Sequence, residues 1–338
     1  MRWLLADWGE NKRHIFDAVA EGLRDLQCTV TNIRRNDMNR RPALLGALAS
    51  GDFDALLTWQ RFYPMQRDLV DGVRESGIRT VFMDFGFIPH YKTVVFDTDG
   101  ENAASSWLRM WETGGAVSLG AEDKKRVDGL LREHAVAARA MNLPDVDALK
   151  DIRFPFVFIP LQRPGDSVVR YDSQVHDFGQ LVRRILLLSR GCFFVVCKTH
   201  PMDRDIDLGV PDRIAGNHVI IRTGNGQQNE ALCDYLLSRA ALVVGVNSNM
   251  LFRATVYGTP VLATGRGWYT GSGAIHEVDG VDQLTVLQTG PLGHDALQRY
   301  LATCLARQLH FDDLGNPEKI ARVFETIGVR LPGTKVCS

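Results

Sequence analysis

The sequence predicts an α/β protein made of two doubly wound halves in tandem. Three observations predict it. Short apolar runs alternate with helical periodicity through the first half. The alternation restarts in the second half with continuously apolar runs, the pattern of strands buried on both faces. The length of 338 residues suits two such units.

In order along the chain, Trp3 to Ala6 reads as a strand. Lys12 to Leu26 reads as a helix, because Ile15, Phe16, Val19, Leu23 and Leu26 recur on one face. Thr29 to Ile33 is the second strand, and Ala55 to Trp59, a helix over Met65 to Glu75 and Thr80 to Met83 continue the β-α-β order, which builds a parallel sheet between helices. Glu122 to Met141 is charged and alanine-rich, the pattern of a long solvated helix. The Asn142-Leu143-Pro144 stop after it marks the expected boundary, giving domains of 1–145 and 146–338, with room for the last helix to cross back. Beyond it, strands are expected at Phe154 to Leu161, Cys192 to Lys198, His218 to Ile221, Leu242 to Val246 and Val261 to Ala263. Helices fit at about Gln174 to Arg190, Asn229 to Ser238 and Met250 to Tyr257. In such folds ligands sit in loops just after the strands.

Composition narrows the function classes. With 45% hydrophobic and 23% charged residues the chain should fold rather than stay disordered. Its 39 Lys and Arg nearly cancel its 40 Asp and Glu, so no global field draws it to a polyanion and no nucleic-acid partner is expected. The cysteines (Cys28, Cys192, Cys197, Cys233, Cys304, Cys337) form no C-x-x-C pair, which suits a reduced, cytoplasmic protein. The start MRWLLADWGENKR has too short an apolar run for a secretion signal. No run is long enough to span a membrane, which leaves peripheral contact at the inner membrane open. Arg34, Arg35, Arg40 and Arg41 form a basic cluster that could meet anionic lipid or a charged acceptor, although a solvated surface is the plainer reading. No HExxH, clustered Cys/His or carboxylate-rich loop suggests a metal, and no cofactor is expected.

Four loops of the second half concentrate polar residues. PLQRPGDS follows a strand and offers Gln162 and Asp166 around a Pro-Gly turn, where a carboxylate could act as nucleophile or base, or simply cap a helix. KTHP places Lys198 and His200 at a strand end, suited to a phosphate. GVNSNM supplies Asn247, Ser248 and Asn249 at a helix N-terminus, where amides and the helix dipole attract anions and the same residues serve as caps. TGRGWYTGSGA has Gly265 and three further glycines for close backbone approach, with Trp268 and Tyr269 able to pack on a sugar or base. In the first half, Asp7 and Glu10 follow the first strand, and Asp84 and His90 lie in DFGFIPHYKT after a later one. Neither a P-loop nor a dinucleotide fingerprint is present.

Taken in order, these loops resemble the capsule polysaccharide biosynthesis family of retaining β-Kdo glycosyltransferases. The matching pieces are Gly86-Phe87-Ile88-Pro89 with Asp97 and Gly100, then Gln162-x-x-x-Asp166, then Lys198-Thr199-His200-Pro201. Asn247-Ser248-Asn249-Met250 follows with Ala254, Gly258, Pro260 and Val261, and last come Gly265, Trp268-Tyr269 and Gly271-x-Gly273. The resemblance implies a GT-B-like fold, two Rossmann-type domains facing a central cleft, the nucleotide on the C-terminal one and the acceptor on the N-terminal one. It implies a CMP-Kdo donor, a glycan or glycolipid acceptor and a metal-independent double displacement. Asp166 would be the catalytic nucleophile, with Gln162 holding the sugar. His200, Asn247 and Ser248 would bind the departing phosphate, with Lys198, Asn249, Gly265 and Tyr269 also on the donor side and Asp7, Glu10, Asp84 and His90 on the acceptor side. Where the family carries Glu in the helix after the NS loop, this chain has Arg253, which cannot accept ribose hydroxyls but could reach a sugar carboxylate or phosphate. Two other readings stay open: a sugar-nucleotide or glycan binder that has lost turnover, and a transferase with another donor acting on a modified nucleic-acid base.

Overall fold

The computed structural model describes residues 1–7, 12–34, 46, 51–60, 67–113, 120–142, 147–222, 227–287, 290 and 293–332. The chain forms two compact units, Met1–Ser106 with Thr303–Ser338, and Trp107–Ala302. The long charged helix groups with the second unit rather than ending the first as the 145/146 boundary has it, and the C-terminal segment joins the first unit, the cross-back for which the sequence reading left room.

The chain opens with β1 (Arg2–Asp7), α1 (Arg13–Asp25), β2 (Thr29–Arg34), β3 (Ala55–Trp59), α2 (Arg67–Glu75), β4 (Arg79–Phe85) and β5 (Thr93–Asp97). The second unit follows with α3 (Ser106–Glu112), α4 (Ala121–Ala140), β6 (Phe156–Pro160), α5 (Ser167–Asp172), α6 (Phe178–Leu188), β7 (Phe194–Lys198), β8 (Arg213–Ile214) and β9 (His218–Ile221). It continues with α7 (Gln227–Arg239), β10 (Leu242–Gly245), α8 (Asn249–Val256), β11 (Val261–Ala263), β12 (His276–Glu277) and α9 (His294–Ala306), after which β13 (Gln308–His310) and α10 (Pro317–Thr326) complete the first unit.

In the first unit the sheet order is β13-β5-β4-β3-β1-β2. Strands β1 to β4 pair in parallel as the β-α-β pattern requires, and β5 is antiparallel to both its neighbours. Alternate residues of β1 serve opposite faces. Trp3 and Leu5 join Ile15, Phe16, Ile320 and Phe324 in one core; Leu4 and Ala6 join Leu56 and Val73 in another. The return of β13 is fastened at Asp97. One of its oxygens accepts from the backbone N–H groups of Asp99, Gly100 and Ser106 at 2.8, 3.2 and 2.9 Å, the other from Ser106 Oγ at 2.7 Å and Arg307 Nη1 at 3.1 Å. The Asp97 and Gly100 of the resemblance therefore form a structural hub.

The second unit has the sheet order β12-β11-β10-β6-β7-β9-β8, parallel except where β8 pairs with β9. The chain runs outward from β6 through β7 and β9, then returns to the other side of β6 as β10. That reversal makes the β6/β10 junction a topological switch point, where the loops at the strand C-termini diverge and leave room for a ligand. Its core joins Val157, Ile159, Val195, Cys197 and Val244 of the strands to Leu181, Val182 and Ile185 of α6. Helix α4 is solvated as its composition predicts, with Val127 its buried residue. Among the described residues no helix is long and apolar enough to cross a membrane.

Candidate active site

Adjacent parallel strands lie roughly 4.8 Å apart, so the order β11-β10-β6-β7 sets the four polar loops side by side at one end of the second sheet. The loops after β6 and β10 are locked across the switch point. Gln162 Nε2 donates to Asn247 Oδ1 at 3.0 Å, and the Asn247 backbone N–H donates to Gln162 Oε1 at 3.0 Å. Asn247 Nδ2 donates to the Val168 and Arg266 carbonyls at 2.8 and 3.2 Å, so this one buried amide ties three loops together. The side-chain capacity expected to hold sugar and phosphate is engaged in shaping the site.

Asp166 is the N-terminal cap residue of α5, but its carboxylate makes no capping bond. Oδ2 accepts from the Arg163 backbone N–H at 3.3 Å, and Oδ1 lies 3.9 Å from the Arg163 guanidinium. The group stays partly open.

His200 follows β7, the strand next to β6. Its Nδ1 accepts from the Met202 backbone N–H at 3.1 Å, which leaves the proton of the neutral ring on Nε2 as a donor. Removal from water lowers its pKa below the ordinary histidine value; Arg163 and Lys198 push the same way, Asp166 and Asp203 oppose them. At neutral pH the ring is therefore an uncharged donor with Asp166 in its field. Lys198 is 4% exposed and donates to the Thr199 carbonyl at 3.3 Å. Burial lowers its pKa too, against the pull of Cys233 and Glu230.

Ser248 caps α8, its Oγ accepting from the Met250 N–H at 3.2 Å, and Asn249 opens that helix. Arg253 is held within the protein. Its side chain is 13% exposed and pairs with Glu230 at 2.9 Å and Asp234 at 2.5 Å, both on α7. The Arg253 cation, expected to reach a sugar carboxylate or phosphate, is thus met by two carboxylates from the neighbouring helix.

Gly265 is required by close approach: a Cβ there would stand 2.8 Å from Val246 Cγ1 and 2.9 Å from Ser173 Cβ. The Trp268-Tyr269 pair, expected to pack on a sugar or base, is turned inward. The Tyr269 hydroxyl lies 2.9 Å from both the Val246 and Gly265 carbonyls, which share its single proton, and Trp268 packs edge-on against Trp107 at 5.2 Å between centroids.

The first unit has its own polar cluster, at the β1/β3 switch point. Asp84 Oδ1 accepts from Gln60 Nε2 at 2.9 Å and from the Phe85 N–H at 2.7 Å. Burial raises its carboxyl to about 6, against those bonds and the Lys12 charge. Lys12 Nζ lies 3.4 Å from the centroid of Phe85 and 4.5 Å from that of Trp59, and burial lowers it to about 8. His90 Nδ1 donates to the Gly86 carbonyl at 2.8 Å, and its ring meets that of Tyr91 at 4.0 Å between centroids, tilted by 51°. Gln60 and Tyr91 both have positive φ, 49° and 62°, backbone conformations that cluster at functional sites. Asp7 ends β1. Its side chain, Glu10, the side chain of Arg34, and Arg35, Arg40 and Arg41 lie outside the described residues.

Sequence reasoning missed Lys12, Gln60 and Arg163. Lys12 and Gln60 each stand at the edge of a post-strand loop, and Arg163 sits inside a segment already singled out; position was the available signal. Among the described residues no group of three or more His, Cys, Asp or Glu side chains could hold a metal ion.

Residues 124–282 match the family described as capsule polysaccharide biosynthesis protein. Two solved structures share the fold over nearly the whole chain. Thermosulfurimonas dismutans KpsC, beta Kdo 2,7 transferase, has a TM-score of 0.61 at 17% identity over 92% of each chain. Its beta Kdo 2,4 transferase counterpart has a TM-score of 0.57 at 15% identity, over 88% of this chain and 89% of the other. No curated protein matches the chain in sequence. At such identities the likeness is one of fold, and it agrees with the α/β, GT-B-like class of two Rossmann-type units.

Proposed function

From the match of residues 124–282 to the family described as capsule polysaccharide biosynthesis protein, we propose that this chain is a glycosyltransferase of that family, moving Kdo or a related acidic sugar from a CMP-activated donor to a glycan or glycolipid acceptor. The observation that carries the reading is Asp166 beside His200 at the ends of neighbouring strands, the carboxylate partly open and the imidazole neutral with its proton on Nε2. The names of the KpsC structures, Kdo transferases, support the donor sugar.

In the first step an Asp166 oxygen forms a bond to the anomeric carbon while the bond from that carbon to the phosphate oxygen breaks, and the electron pair leaves with CMP. His200 Nε2–H and the amides capped by Ser248 stabilise the charge that collects on phosphate. In the second step an acceptor hydroxyl oxygen bonds the same carbon, the Asp166 ester opens, and the hydroxyl proton is released. Two inversions give retention. Neither step calls for a metal. The Asp84, His90 and Lys12 cluster is the acceptor-side counterpart in the first unit, its acid poised near neutral pH. The enzyme works in the cytoplasm, peripheral to the inner membrane when its acceptor is a glycolipid.

The test is Asp166→Ala assayed with CMP-Kdo, with CMP binding followed by thermal shift. Transfer should fall by at least about 10³-fold, in the range of losing a nucleophile, with CMP still stabilising the protein by about 2.7 kcal/mol at 100 times its Kd. Transfer by the variant at the wild-type rate would overturn the nucleophile. A response to uridine or guanosine nucleotides with none to CMP would overturn the donor.

A further inference from the structure

Arg163 sits within the carboxylate loop at the position that this donor chemistry leaves unserved. When a sugar carries a carboxylate on its anomeric carbon, the nucleophile that attacks that carbon is itself an anion. The approach brings two like charges together, and it proceeds readily only beside a cation that can neutralise them. The cation must stand next to the nucleophilic oxygen, be free to move, and not be fully committed to a partner.

Four cations belong to these loops and the helix after them, and the structure separates them. Arg266, in the glycine-rich loop, acts on Glu277 of β12. Lys198 is 4% exposed, bonded to the Thr199 carbonyl and in the field of Cys233 and Glu230. Arg253 is clasped by Glu230 and Asp234. The Arg163 side chain, by contrast, is 42% exposed, and its Nη1 stands 3.9 Å from Asp166 Oδ1, close enough for attraction and too long for a hydrogen bond. The backbone holds it there: the Arg163 N–H donates to Asp166 Oδ2 and the Asp166 N–H donates to the Arg163 carbonyl at 3.1 Å, closing the turn between them. Its charge is also felt by His200.

We propose that Arg163 is the specificity residue for the donor, a guanidinium that takes the carboxylate of an acidic sugar as Asp166 attacks the carbon bearing it. Before attack Arg163 faces the Asp166 anion. Once Asp166 has become an ester it carries no charge, and the guanidinium passes to the sugar carboxylate, whose two oxygens match its fork of donors. One positive charge thus serves two anions in succession, and a neutral hexose would leave it unmatched. The inference rests on the proposed reaction and names the class of sugar it selects.

The experiment compares wild type, Arg163→Ala and Arg163→Lys with CMP-Kdo in the transfer assay, with CMP alone titrated by calorimetry. A CMP-Kdo analogue with its carboxyl converted to an amide is the third arm. The half-exposed side chain can be truncated without opening the core, and thermal melting checks that the variants fold. Expected are a fall in kcat/KM of about 10- to 100-fold for Arg163→Ala, as for loss of a charge-assisted hydrogen bond, with partial recovery in Arg163→Lys. CMP affinity should be unchanged. The amide donor should serve wild type no better than the alanine variant. Undiminished transfer by Arg163→Ala overturns the inference, as does a parallel loss of CMP affinity, which would assign the guanidinium to phosphate. Wild type that transfers nothing from CMP-Kdo while binding CMP sinks the reaction itself, a result distinct from either.

Discussion

Gln162 and Asn247 hold each other by a reciprocal pair of hydrogen bonds, side-chain amide to side-chain carbonyl and backbone amide to side-chain carbonyl, each 3.0 Å long. They sit on opposite sides of the switch point, so the pair fixes the separation between the Asp166 loop and the Ser248 loop. Replacing either by Ala leaves buried polar groups unsatisfied and should cost about 2 to 4 kcal/mol in urea unfolding. The double variant should lose less than the sum of the two singles, as expected for one shared interaction.

Asp84→Asn should stabilise the protein at neutral pH. The folded carboxyl titrates at about 6 against an ordinary 3.8. Its protonated form is therefore favoured by folding, a contribution fully present below about pH 3.8 and lost as pH rises through 6. That rise amounts to at most about 3 kcal/mol. Asn keeps the Oδ1 acceptor for Gln60 and Phe85 without the charge. Unfolding measured across pH should show the variant's advantage at pH 7 disappearing near pH 4; an advantage independent of pH would refute the assignment.

Tyr269→Phe should lower stability by about 1 to 3 kcal/mol, because the Val246 and Gly265 carbonyls lose the hydroxyl they share. Since the ring faces inward, CMP affinity measured by calorimetry should not change. A large loss of affinity with stability intact would mean that the hydroxyl reaches the ligand.

Arg307→Met should be the most damaging of these changes, by about 3 to 5 kcal/mol, since it leaves the buried Asp97 carboxylate without its cation. Thermal unfolding is the check. Adding Asp97→Asn should recover part of the loss.

The strands and helices of the β-α-β stretches were legible because burial on both faces writes continuous apolar runs, as in Phe156–Pro160 and Phe194–Lys198. Strand β5 and the returning β13 were not read: TVVFD and QLH are short, and their place at the antiparallel edge depends on the distant Asp97–Arg307 contact, which no local pattern encodes. At the site, sequence position brought Asp166 and His200 to adjacent strand ends. It could not say whether a polar side chain faces a ligand or its own backbone. Asn247, Tyr269 and Arg253 are the residue types that bind sugars and phosphates, and here they tie loops and helices together, a distinction made only by the partners that folding supplies.

The first unit is assembled from both ends of the chain, with β13 seated on β5 and α10 against α1. During synthesis, its opening residues must therefore wait on the ribosome for a partner made after everything between them. Residues 107–302, being continuous, can close first. An expression clone that stops before residue 303 would strand the early half with its Trp3 and Phe16 surface uncovered, whereas the middle segment is the natural piece to produce alone.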